Sequence, residues 1–187
     1  MICDMKDQVL CAKKIFCKRQ NFRSLSCIST APFETGNDEL NKYLRYFLHR
    51  APNISSAHAS KVSFDLQNEL FEKMFEGRNF VTKDFCSFNC KIEKKLSNAG
   101  MNSNNICLNC SRLVCKKKKP EKGNTESEFN CLLRHLRNSI AHGHFYYLHA
   151  GNRIFLVFDD FVNAKQTARI VCLRADLEHW YRILTSL

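Results

Sequence analysis

From Asn37 onward, apolar and polar residues follow a helical period. Leu40, Tyr43, Leu44, Phe47 and Leu48 recur at three- and four-residue steps behind a polar cap at Asn37 or Asp38, which predicts an amphipathic helix. His49 and Arg50 place positive charge at its end, where it complements the helix dipole. After Ala51-Pro52-Asn53 the period returns with Val62, Leu66, Leu70, Met74 and Phe75 and stops at Gly77. A third helix is expected over residues 82–97, with Phe85, Phe88, Ile92 and Leu96 as its buried stripe. Residues 98–125 then turn polar. The run Lys116-Lys117-Lys118-Lys119, followed by Pro120, reads as a solvated loop, because packing adjacent ammonium groups carries a large desolvation cost.

The best-marked stretch is TESEFNCLLRHLRNSIAHGHF, residues 125–145. Thr125 and Glu128 have capping-box spacing, and Gly143 supplies a residue able to close the last turn in a left-handed conformation. Phe129, Leu132, Leu133, Leu136 and Ile140 would face a core over a helix of residues 127–142, leaving Arg134, Arg137, Asn138 and His142 on the remaining arc. Beyond Gly143 the period becomes extended. Residues 145–149 and 154–158 flank Ala150-Gly151-Asn152 as a hairpin, Asp159-Asp160 reads as the start of a polar turn, and residues 168–173 as a third strand. A short helix with Leu177, Trp180, Tyr181 and Leu184 closes the chain.

A chain of 187 residues, 44% hydrophobic, can bury one core. Its 15 Phe against 6 Gly and 3 Pro favour packed helices over a turn-rich sandwich. Residues 1–32 read as a basic, cysteine-rich segment, with either a short helix at 8–16 or a flexible arm, and residues 33–187 as one domain. The formal charge of +11 points to a polyanionic partner, nucleic acid before anionic membrane. No apolar run approaches a membrane span, and Lys6, Asp7, Lys13 and Lys14 interrupt any signal-peptide core, so a cytoplasmic location is expected.

An odd total of 11 cysteines in that setting favours free thiols or metal ligands over disulfides. On the expected third helix, Cys86 and Cys90 would share a face. With Cys107 and Cys110, a CxxC pair, they would make a four-thiolate structural zinc site, with Cys115 as a substitute ligand. Small buried cysteines are the alternative.

Arg137-Asn138-Ser139-Ile140-Ala141-His142 combines an arginine with a histidine five residues on. Cleaving RNA by 2′-hydroxyl attack on the adjacent phosphate needs an acid or base that titrates near neutrality and a cation for the phosphorane oxygens, and no metal. At about 100° per residue, positions 137 and 142 lie about 140° apart around the helix, whereas Asn138 and His142 share a face. The segment RNSIAHGHF resembles the Arg-x4-His signature of the HEPN superfamily, in particular its plasmid-borne and abortive-infection branches. The resemblance covers the last third of the chain, with the upstream helices agreeing in type and order.

The elements read along the chain add up to a mainly α fold, a HEPN-like helical bundle carrying a small antiparallel hairpin or sheet after the motif helix and a short C-terminal helix, which is compatible with the resemblance. The resemblance implies a homodimer whose two motif helices line one composite cleft, which would resolve the angular offset. The expected function is a metal-independent endoribonuclease acting as a toxin or antiviral effector. His142 would be its acid/base, Arg137 its phosphate-stabilising group and Asn138 a positioning group. An antitoxin or a nucleotidyltransferase-type antagonist would restrain it. Lys116, Lys117, Lys118, Lys119 and Arg134 are the expected RNA contacts, and His144, beside the helix-ending glycine, is expected to be peripheral. The rival readings are a module that binds RNA or nucleotide without cutting it and a zinc-stabilised interaction protein.

Overall fold

The computed structural model describes residues 22–24, 35–101 and 105–187, with the backbone alone at 22–24, 105 and 107. The expected short helix or arm at the N-terminus falls almost wholly outside these residues. In chain order the elements are β1 (Phe22–Ser24), α1 (Asp38–His49), α2 (Phe64–Phe75), β2 (Phe80–Cys86), α3 (Ile92–Asn98), β3 (Asn105–Cys107) and β4 (Ser111–Lys116). There follow α4 (Glu128–Ala141), β5 (Phe145–Ala150), β6 (Arg153–Val162), β7 (Lys165–Leu173) and α5 (Arg174–Thr185).

Five strands form one mixed sheet in the order β2-β4-β7-β6-β5, with β2 parallel to β4 and the other neighbours antiparallel. Strands β1 and β3 pair separately. The expectation of a mainly helical bundle is therefore corrected: the described residues form an α+β domain in which helices are layered on a five-stranded sheet.

The sheet is buried on both faces, which is why β6 and β7 read as nearly continuous apolar runs. Leu113, Leu156, Phe158, Ile170 and Cys172 belong to a core shared with Leu44 and Phe47 of α1, Met74 of α2, Leu132, Leu136 and Ile140 of α4, and Trp180 of α5. Val114, Phe155, Val157 and Val171 point the other way, into a smaller core with Ile92 and Leu96 of α3, Met101 and Leu108.

Local sequence accounts for most of the helix limits. Asn37 Oδ1 accepts from Leu40 N at 2.9 Å and Ser63 Oγ from Leu66 N at 3.4 Å, relieving orphan donors at the starts of α1 and α2. Helix α4 is capped by Ser127, whose Oγ accepts from Asn130 N at 3.2 Å. Thr125, expected to cap it, is exposed two residues upstream. Gly143, at φ 69°, closes α4 as expected, and the next residue's amide, His144 N, returns to Ser139 O at 2.8 Å.

Three further expectations are corrected. The helix of residues 82–97 is instead strand β2, a turn and the short helix α3. Phe80, Val81, Thr82 and Phe85 are aromatic or β-branched and suit a pleated surface, and the parallel edge offered by β4 settles the contest. The loop expected over residues 98–125 contains β4 in the interior of the sheet. Its polar residues hid it: Arg112 Nη1 donates to Ala99 O at 3.0 Å and Ser111 Oγ to Asp176 Oδ2 at 2.7 Å, so both are buried with partners. Finally, Asp159 and Asp160 do not turn the chain but lie buried within β6. The hairpin itself forms as expected, with Ala150 paired to Arg153 around Gly151 at φ 61°.

Candidate functional site

The aspartates of β6 project to opposite faces of the sheet because side chains alternate along a strand. Asp159 meets Arg169 of β7 in a bidentate pair, Nε to Oδ1 at 2.7 Å and Nη2 to Oδ2 at 2.8 Å, and Arg169 Nη1 reaches Met101 O at 2.8 Å. Asp160, on the α4 side, accepts from His135 Nδ1 at 2.6 Å, while His135 Nε2 faces Lys116 O at 2.8 Å. Both ring nitrogens thus lie within hydrogen-bond distance of an acceptor, the Asp160 carboxylate on one side and the Lys116 carbonyl on the other. Burial alone would raise the Asp160 carboxyl, but the bond and charge of His135, with the donors Asn138 and Thr167, outweigh it and hold it below the usual range.

This buried pair positions the motif. Asn138 Nδ2 donates to Asp160 Oδ2 at 3.3 Å, and Arg137 Nη1 to Asn138 Oδ1 at 3.4 Å. Asn138 is consequently fixed between the sheet and Arg137. Arg137 itself is half-buried, has no ion pair among the described residues, and carries a buried Nε with no hydrogen-bond partner. Arg134, one turn earlier, is different. Its Nε and Nη2 grip Glu126 at 2.7 and 2.8 Å, and Nη2 also reaches Lys116 O at 3.0 Å. Burial would raise the Glu126 carboxyl, and Arg134 reverses this and lowers it.

Arg137 and Asn138 line a hollow of about 690 Å3 between α4, residues 53–55 and the segment that precedes α4. Asn130 and Gln67 contribute amides, and Lys118 and Lys122 contribute cations. His142 does not line it. That side chain is exposed at the C-cap of α4, five residues and about 7.5 Å of rise beyond Arg137, with its ring centroid 6.1 Å from that of His144. His144 packs edge-on against Phe161 at 5.1 Å. His144, expected to be peripheral, is thus a half-buried second imidazole beside the exposed His142.

The expected RNA contacts separate. Lys116 ends β4 with Nζ on Cys90 O at 3.1 Å, Lys117 is half-buried, and Lys118 and Lys119 are exposed. Arg134 is paired with Glu126. The cysteines separate further. Cys86 and Cys90 are joined to one another as a disulfide, departing from the free thiols or ligands expected. Parallel β2 and β4 pair Phe80 with Ser111 and Cys86 with Lys116, so Cys110 lies at the opposite end of the strand pair, about 16 Å from Cys86 at roughly 3.3 Å per residue. The structure therefore does not assemble the proposed set of Cys86, Cys90, Cys107 and Cys110. Among the described residues no three His, Cys, Asp or Glu groups are placed to hold a metal ion. Cys115 is in the core, where burial pushes its thiol well above the usual range and disfavours the thiolate a metal needs.

Sequence reasoning missed His135, Asp160 and Glu126. The available signals were a histidine three residues after Leu132 on the apolar stripe of α4 and two aspartates inside an otherwise apolar run.

Fold and site together define a domain whose Arg-x4-His helix lies on a buried sheet and is held by a His–Asp pair beneath it. The family model HEPN pEK499 p136 matches residues 66–186, and the chain belongs to that family of HEPN domains. No curated protein and no solved structure matches the chain. Among the described residues no helix is long and apolar enough to cross a membrane.

Proposed function

We propose that the protein is a metal-independent endoribonuclease of the HEPN type, acting in the cytoplasm as a homodimer. The observation that carries this reading is the contrast between two arginines on one helix. Arg134 is neutralised by Glu126, whereas Arg137, at the rim of a hollow, has an unsatisfied buried Nε and no carboxylate partner among the described residues. A buried donor without a partner costs about 1–3 kcal/mol, and an anion at the rim would recover it. A phosphodiester supplies that anion.

In the reaction, the 2′-hydroxyl attacks the adjacent phosphorus, forming the cyclic phosphate and releasing the 5′-oxygen. His142 exchanges the proton, His144 is the second imidazole available to it, Arg137 stabilises the phosphorane oxygens, and Asn138 orients Arg137. Because Arg137 and His142 diverge around α4, pairing two motif helices across a dimer axis brings a histidine of one copy to the arginine of the other. Membership of the family favours a toxin or antiviral effector, restrained by an antitoxin or a nucleotidyltransferase-type antagonist.

The test is cleavage of mixed RNA in chelator. His142→Ala and Arg137→Ala should each reduce the rate by about 10²-fold or more, the scale of a general acid/base, with helix content and oligomeric state unchanged. If His142→Ala cleaves as fast as wild type, the chain is an RNA-binding module. Toxicity on expression should disappear with the same substitution.

A further inference from the structure

A second hollow, of about 730 Å3, lies between α1, the end of α5 and residues 50–58. Lys42, Arg45, Tyr46 and His49 follow one another at helical spacing along one face of α1, and Arg50 extends the row. His58 enters from the loop and Tyr181 from α5. No lining residue is acidic. The motif hollow, by contrast, includes Glu121 and Glu126, the hollow beside α2 includes Glu69, Glu72 and Glu76, and the one beside the lysine run includes Glu93. Cations gathered around a concave surface with no carboxylate match a polyanion.

The aromatic side chains narrow the ligand. Tyr46 is fixed by its hydroxyl, which donates to Leu184 O at 2.9 Å, and packs edge-on against Tyr181 with centroids 5.1 Å apart. Lys42 Nζ lies 5.1 Å from the centre of the Tyr181 ring. Ordered rings beside cations are the combination that holds single-stranded nucleic acid, in which each phosphate is accompanied by a base.

The two hollows also share a wall. Residues 53–55 line the motif hollow, and His58, three residues on, lines the second. Asn53 fixes this wall: it stands at φ 58°, its N donates to Ser60 O at 2.8 Å, its Oδ1 accepts from Val62 N at 3.1 Å, and its Nδ2 donates to Asn130 Oδ1 of α4 at 3.1 Å. A bound strand could therefore pass from one hollow to the other over an ordered ridge, a continuity that favours a strand over a free nucleotide.

We propose that this second hollow is an exosite for single-stranded RNA, in which Lys42 and Arg50 hold phosphates and the Tyr46–Tyr181 wall holds a base. It rests on RNA entering the motif hollow but not on cleavage there. The experiment is fluorescence anisotropy of a labelled RNA of about 12 nucleotides, within the usual reach of such sites, binding to His142→Ala protein with and without Lys42→Glu and Arg50→Glu together. The charge reversal should weaken the 12-mer about tenfold or more and reduce the log–log salt slope by roughly 1.4, as about 0.7 is lost per phosphate contact on a single strand. The paired replacement Lys42→Arg with Arg50→Lys should restore binding, and unchanged Trp180 fluorescence should confirm the fold.

In the His142-intact protein, the charge reversal should raise KM for long RNA without changing kcat, and leave cleavage of a dinucleotide unaltered. Undiminished binding of the 12-mer by the charge-reversed protein would overturn the exosite. So would AMP or inorganic phosphate losing affinity by the same factor as the 12-mer, since the hollow would then serve a free ligand. Failure of cleavage alone leaves the anisotropy result intact, so the two proposals fail separately.

Discussion

Asp159 and Asp160 show how much a single position in the fold changes a residue. Adjacent in sequence, they are buried on opposite sides of one sheet and are met by different partners, Arg169 and His135. The folded Asp160 and Glu126 carboxyls both titrate below their ordinary values. They therefore add stability that is fully present above the unfolded pKa values, about 3.9 and 4.3, and is lost as pH falls through the lower folded values. Asp160→Asn should cost about 2 kcal/mol at neutral pH, the scale of a hydrogen bond to a charged group. It should also flatten the acid limb of stability against pH. Urea titrations followed by Trp180, the only tryptophan and fully buried, would check both. An acid limb as steep as that of wild type would show that the pair does not carry the linkage. The proposed site, by contrast, was visible as a local motif: Arg137, Asn138 and His142 lie within six residues at the end of α4, and helical geometry alone gives their relative directions.

At the scale of elements, a helix with its own period and caps could be read locally. Helices α1, α2 and α4 fall where their apolar spacing places them, and the cap of α4 is the exception in detail. Ser127 has two roles, because its Oγ also donates to Gln67 Oε1 of α2 at 2.7 Å. Ser127→Ala should destabilise the protein by about 1 kcal/mol through the lost cap. Thr125→Ala should change stability by less than about 0.5 kcal/mol, as is usual at exposed positions. Thermal or urea unfolding of the two variants distinguishes the caps, and equal losses would contradict the assignment. Strands β2 and β4 were not legible in the same way. Their pairing is parallel and spans α3, so neither strand contains the information that the other is its partner.

At the scale of the whole molecule, with 29 Lys and Arg against 18 Asp and Glu, the RNA binding we propose should be strongly salt-dependent. Raising ionic strength should weaken binding along a linear log–log relation. Sedimentation at micromolar concentration should show a dimer, and a monomer with full cleavage activity would remove the composite cleft.

The sequence by itself determined the positions of α1, α2 and α4, the hairpin of β5 and β6, the basic character and the Arg-x4-His helix, all of which depend on spacing within short windows. Only the tertiary structure decided that a polar segment is an inner strand, that two aspartates are buried, and that Cys110 lies far from Cys86. It also decided which arginine is neutralised. The physical reason is common to the polar residues among these cases: burying a polar group is tolerable only with a partner, and here the partners lie 8 to 65 residues away in sequence. Local pattern therefore assigns such residues to solvent until the fold brings their partners to them.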